Sequence, residues 1–271
     1  MKIIFSRKGF DSTSGGKPSL VVENKIITFP IPQANTGVFY KDLLTPMGVN
    51  YDTLFHDIGI HQFSEAHVDP DLNPNIYGTK RPKGWRGVFG QDDSSQTHLS
   101  NENVCEKDLF LFFGWFQFGS IVNGKYAYTS NKKNPEGFHM LWGFLETGKP
   151  IKVENDKIPE WASKHTHVIN KHLQDNSNNT LYPAAEASSI GLKETFGIFT
   201  FSEDLILSNP GKRSNWKLDK FFKNKKISHH GKDAKINDPN HFQSVGRGQE
   251  FVFEESKEIE KWAVGLINNH L

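Results

Sequence analysis

Apolar positions along the chain fall in short blocks divided by polar stretches rich in glycine and proline. Such blocks predict strands. Residues 2–5 predict one strand, and 20–22 with 26–29, split by Glu23-Asn24-Lys25 and closed by Pro30 and Pro32, predict a hairpin. Residues 38–44 and 51–54 predict helical turns, whereas 56–100 read as loop. Residues 108–116 form a run that predicts a buried strand. Further strands at 125–129 and 139–147, with a turn at 131–137, predict an antiparallel meander. Residues 159–173 predict a helix, and 198–201 and 205–207 short strands before a turn at 208–211. The last segment has the clearest period. Ser256 is a predicted N-cap, and Ile259, Trp262, Ala263, Leu266 and Ile267 follow at helical spacing.

These elements predict an α+β fold with a mixed or antiparallel β core, peripheral helices and long functional loops, in one domain over 1–271. The strand–turn–strand pattern from Asp108 is similar to the β-barrels of PUA-like and ASCH-like domains, which bind RNA or modified DNA bases. Lys107 stands where that pattern expects glycine. Composition supports strands and loops over a helical bundle: 22 Phe, 23 Gly and 13 Pro in 271 residues. No apolar block approaches the roughly 20 residues of a membrane span, and a single cysteine, Cys105, excludes an internal disulfide. Both point to a cytoplasmic protein. A net charge of +1 excludes a histone-like polybasic protein but leaves room for a local patch.

Six groups of residues carry candidate chemistry. In the loop after the first strand, Arg7, Lys8, Asp11, Ser12, Gly15 and Gly16 combine cations, hydroxyls and glycines that suit a phosphate. The loop lacks the Gly-Lys-Ser/Thr of a Walker A motif. In His67-Val68-Asp69-Pro70-Asp71, an extended backbone would bring an imidazole and two carboxylates to one side, for acid–base work or a divalent metal. Arg86 and Gln91 suit a phosphate and a base edge, and His98 is a candidate general acid or base.

His165-Thr166-His167 would share a face on a strand but not on a helix, a weak metal signal alone. Residues 212–235 hold nine Lys or Arg (Lys212, Arg213, Lys217, Lys220, Lys223, Lys225, Lys226, Lys232 and Lys235) against Asp219 and Asp233, a net +7, interleaved with Trp216, Phe221 and Phe222. Cations track phosphates and aromatics stack on bases. Arg247, Gln249 and Glu250, set among Gly246 and Gly248, would complete a site.

Together the ordered motifs resemble the third of the nucleotide modification associated domain families of bacteria and phages. They are Ser6-Arg-Lys-Gly-Phe-Asp-Ser with Gly15-Gly16, His67-x-Asp-Pro-Asp-Leu, Trp85-Arg-x-x-Phe-Gly-Gln with His98-Leu, Asp108-Leu-Phe-Leu-Phe-Phe-Gly-Trp-Phe and Arg247-Gly-Gln-Glu-Phe. The resemblance covers nearly the whole chain and implies association with base modification. It brings no mechanism and no cofactor.

The leading expectation is an enzyme acting on a nucleotide or nucleic-acid base, DNA ahead of RNA. Asp11, His67, Asp69, Asp71 and His98 would act catalytically. Arg7, Lys8, Ser12, Gly15, Gly16, Arg86, Gln91, Arg247, Gln249 and Glu250 would hold the nucleotide. Lys212, Arg213, Lys217, Lys220, Lys223, Lys225 and Lys226 would contact nucleic acid. The alternatives are a non-catalytic PUA-like reader with an aromatic pocket and a metal-dependent phosphoesterase or nuclease using His67, Asp69, Asp71 and His98.

Overall fold

The computed structural model describes residues 1–223, 225–230, 242–244 and 249–271. In chain order the strands are β1 (Ile3–Arg7), β2 (Ser19–Val22), β3 (Lys25–Ile27), β4 (Ile31–Pro32), β5 (Ala66–His67), β6 (Val88–Gln91), β7 (Leu109–Val122), β8 (Lys125–Tyr128), β9 (Phe138–Glu146), β10 (Ile151–Lys152), β11 (Thr180–Pro183), β12 (Phe196–Ile198), β13 (Ser208–Asn209), β14 (Lys212–Trp216), β15 (Phe242–Gln243) and β16 (Glu250–Val252). The α-helices are α1 (Tyr51–Asp57), α2 (Asp93–Asn101), α3 (Thr166–Ile169), α4 (Lys171–Gln174) and α5 (Lys257–His270).

The apolar run of β7 is buried because the strand is covered on both faces and flanked on both sides. Its first half pairs parallel with β1 and antiparallel with β9. Further on it pairs parallel with β2, and its far end pairs with β8. The main sheet therefore runs β12-β9-β7-β1-β16 and is mixed, as part of an α+β fold. β8 and β9 each pair with β7, which corrects the expected meander.

The barrel expected from residues 108–147 does not form either. Among the described residues the strands make four sheets, and none closes. In the main sheet, β12 and β16 end the strand order on opposite sides of β7, so no edge meets another.

Two cores pack on this frame. One covers the main sheet with residues such as Phe5, Phe110, Phe112, Phe113, Phe144 and Trp216. The other gathers Phe10, Phe29, Tyr40, Tyr51 and Phe55 beside the β2–β3 hairpin.

Local signals explain the other departures. Residues 159–173 break into a 3-10 turn at Glu160–Ala162, α3 and α4. The side chains of His165 and Asn170 accept the backbone N–H groups of His167 and His172, so each caps a fresh start. The stretch 56–100 contains β5, β6 and α2 rather than loop alone. α2 buries only Gln96 and Leu99, so it shows no apolar stripe to read. Glu203–Leu205 is a 3-10 turn and only Phe196–Ile198 pairs as a strand. α5 forms as its period predicts, with Ile259, Ala263, Leu266 and Ile267 buried, although the Ser256 side chain makes no cap bond. No helix of the described residues is long and apolar enough to cross a membrane.

Candidate functional site

A polar cleft of about 550 Å³ opens where β1, β4, β5 and β6 end, beside α3, α4 and the start of β16. It draws Arg7, Lys8, Asp11, Ser12, His67, Asp69, Gln91 and Gln249 together from positions far apart in sequence. Gln33, Asp92, His167 and His172 join them.

The cleft floor is Asp69, whose side chain is 4% exposed. Its Oδ1 accepts the Gly90 N–H at 2.6 Å, and its Oδ2 lies 3.8 Å from Lys8 Nζ. Burial pushes this carboxyl up to about 7, while Lys8 and the Gly90 N–H pull it down. Lys8 also lies 3.6 Å from Glu250 Oε1 and over the Phe89 ring. Lys8 thus turns inward as the counter-charge between two buried carboxylates, away from the solvent side of its loop. Gln91 donates to Glu250 at 2.5 Å, which fixes both side chains at the back of the cleft.

Three imidazoles surround Asp69. His67 and His167 meet edge to face with ring centroids 5.0 Å apart, and His165 stacks on His167 at 5.8 Å. The sequence spacing allowed the last pair to share a face only on a strand. They adjoin instead because His165 is the extended N-cap and His167 lies in the first turn of α3. Burial, and then mutual repulsion, hold His67 and His165 well below the usual imidazole range. His167 is lowered to about 4, chiefly by burial. All three are therefore neutral at pH 7, the state in which an imidazole can bind a metal. His67, Asp69 and His167 each offer a ligand atom, and these atoms lie within 4.8 Å of one another.

The neighbouring backbone is cut to this arrangement. A Cβ on Gly90 would lie 2.2 Å from Cδ2 of His167, so only glycine admits the ring. In the loop after β1, Asp11 Oδ1 accepts from the N–H groups of Thr13 and Ser14 and from the Thr13 hydroxyl, shaping its own turn. This leaves the Ser12-Thr13-Ser14 turn on the cleft rim. Gly15 (φ +90°) is required because a Cβ would enter the Phe10 ring, and Gly16 has φ +70°. Neither lines the cleft. Arg7 lines it, and burial lowers its guanidinium, with Arg213 adding a smaller push and Asp11 and Glu250 opposing.

Other candidate residues lie elsewhere. Asp71 faces away from the cleft and is held by Arg81 through two hydrogen bonds, 2.5 and 2.9 Å. Arg81 is sandwiched between Tyr77 and Trp85. Asp71, Arg81 and Trp85 line a second cavity of about 380 Å³ together with His165. Arg86 pairs with Glu186 at 2.8 Å and sits over Trp161. His98, on α2, meets Ser228 at 2.9 Å and packs at a tilt against His229, outside the cleft lining. Arg247, Lys232 and Lys235 lie outside the described residues.

Of the basic run, Lys212, Lys217, Lys220, Lys223 and Lys226 are exposed and Lys225 is half-buried. Arg213 lies over Trp115. Trp216 and Phe222 are buried in the core, so neither can stack on a base.

His167, Gln33 and Asn179 escaped the sequence-based site. The spacing His165-Thr166-His167 was the one signal for His167. Gln33 and Asn179 carried none, since an amide takes its role only from what the fold puts beside it.

A family model described as nucleotide modification associated domain 3 matches residues 2–254. Neither a curated protein nor a solved structure matches the chain.

Proposed function

The chain belongs to the nucleotide modification associated domain 3 family, and from that premise we propose that it is an enzyme that modifies a nucleotide or nucleic-acid base in the cleft over Asp69. One observation carries this reading. A single cleft pairs a rim of one guanidinium and several hydroxyls (Arg7 and the Ser12-Thr13-Ser14 turn) with a buried centre of two neutral imidazoles and a carboxylate. The rim would hold phosphate through the Arg7 guanidinium and the Ser12 and Ser14 hydroxyls. The Gln249 amide, also in the lining, would meet a base edge. The reacting group would then lie against Asp69, His67 and His167.

A reader that stacks a flipped base is less well supported. The described cleft lining contains no Phe, Tyr or Trp. A phosphoesterase built on His67, Asp69, Asp71 and His98 is also less well supported, because Asp71 and His98 lie outside that lining. The basic run is assigned to nucleic-acid docking. Arg213 at the start of this run adds a small electrostatic effect on Arg7 of the cleft.

The test separates holding from chemistry. Nucleotides and short oligonucleotides are incubated with the protein and analysed by mass spectrometry, with binding followed in parallel. Arg7→Gln is expected to weaken nucleotide binding about tenfold, consistent with loss of a charge-assisted bond. Asp69→Asn is expected to retain binding and lose conversion. Unimpaired conversion by Asp69→Asn would refute the assignment.

A further inference from the structure

The hydrogen bonds around Asp69 sort its three histidines into two tautomers. His67 Nδ1 meets Gln33 Oε1. With the Gln33 amide oxygen accepting, Nδ1 carries the proton and Nε2 the lone pair. His167 Nδ1 meets Asn179 Oδ1 at 2.8 Å. Asn179 cannot be turned round, because its Nδ2 donates to the carbonyl oxygens of both His167 and Leu173, at 2.8 and 2.9 Å. Nε2 of His167 is therefore also a lone pair.

His165 is the opposite case. Its Nδ1 accepts the His167 N–H at 3.3 Å, so Nε2 carries the proton and faces Asp69 Oδ1 at 3.5 Å.

His67, His167 and Asp69 thus line one cleft, each with a ligand atom within 4.8 Å of the others', and both of these imidazoles carry their lone pair on Nε2. All three offer lone pairs to the same space, an arrangement that a bound cation stabilises. Lys8 Nζ, 3.8 Å from Asp69, also lies beside Glu250, which can keep it if Asp69 takes another partner.

We propose that His67 Nε2, His167 Nε2 and the Asp69 carboxylate bind one divalent first-row transition-metal ion. Tetrahedral bonds of about 2.0–2.2 Å put ligand atoms roughly 3.4 Å apart, so the three ligand atoms, which lie within 4.8 Å of one another, close on an ion with side-chain shifts of about 1.4 Å at most. Imidazole donors select such ions over Mg²⁺ and Ca²⁺, and two histidines with one carboxylate leave coordination positions open. Gln33 and Asn179 are the outer partners that hold each ring in its metal-binding tautomer.

The test needs no substrate, so its outcome is independent of the nucleotide reading. The full chain is stripped with a chelator and titrated with Co²⁺, followed by visible absorption, and with Zn²⁺ by calorimetry. One ion per chain is expected. His67→Ala and His167→Ala are each expected to weaken binding at least a hundredfold. Gln33→Leu is expected to weaken it about 10–100-fold by freeing the His67 ring, and His270→Ala, remote from the cleft, to leave it unchanged. Failure of the wild-type chain to take up either ion overturns the proposal, whether or not any variant folds. Equal affinity in folded His67→Ala and His167→Ala proteins overturns it too.

Discussion

At the scale of single residues, the polar side chains divide by what surrounds them. Asp71 and Asp69 are two positions apart, yet one is locked in a bidentate ion pair and the other faces the cleft. Removing one member of a buried pair strands the other charge, which costs about 3–5 kcal/mol. Arg81→Ala should therefore lower the urea midpoint sharply, and Arg81→Met/Asp71→Leu should recover most of the loss. A stability change below about 1 kcal/mol in Arg81→Ala would show that the pair is not buried in solution. Gly90 is constrained by space alone, with the His167 ring where a side chain would begin. Gly90→Ala should cost about 1–3 kcal/mol as overpacking and push His167 from the cleft. Conversion should fall far more than stability, read by melting and turnover on one preparation. Asp69 was legible from its motif. The need for glycine at 90 was not, because it arises from a contact 77 residues away in the chain.

Among elements, legibility followed the source of each one's stability. β7, β9 and α5 bury long or periodic apolar runs, so their patterns show in the chain itself. α2 and the α3–α4 pair rest on polar caps and neighbours, and the pattern missed or merged them. β9 and β14 are joined by one polar contact, in which Trp216 Nε1 donates to His139 Nδ1 at 3.0 Å. Burial, then Arg7 and Arg213, hold His139 well below the ordinary imidazole range. Its folded value is thus depressed, and the unfolded chain takes up the proton first as pH falls. The contribution is complete above about pH 6.5 and is lost on acidification towards the folded value, at up to about 1.4 kcal/mol per pH unit. Urea midpoints at pH 7.5 and 5.0 should fall further in the wild type than in His139→Gln, whose amide can still accept from Trp216. Parallel losses in the two proteins would count against this role.

Over the whole molecule, the near-neutral charge hides an uneven distribution. Most lysines between 212 and 226 are exposed, while Asp69, Asp92 and Asp93 line the cleft. If that basic run docks nucleic acid, binding is electrostatic and falls with salt. Lys217→Glu/Lys220→Glu/Lys223→Glu should weaken oligonucleotide binding and reduce its salt slope by about two to three, leaving mononucleotide binding in the cleft intact. An unchanged slope would remove the docking role. The chain by itself determined the α+β class, the family's ordered motifs and the strands that bury continuous apolar runs, because period and composition are local properties. Only the tertiary structure decided that β1 and β2 lie parallel to β7, that no barrel closes, and that Lys8 turns inward. It alone brought His167 to His67 and Asp69 and sent Asp71 to Arg81. Those outcomes rest on pairings between distant segments, where register, burial and the hydrogen bond on the far ring nitrogen set what each side chain can do.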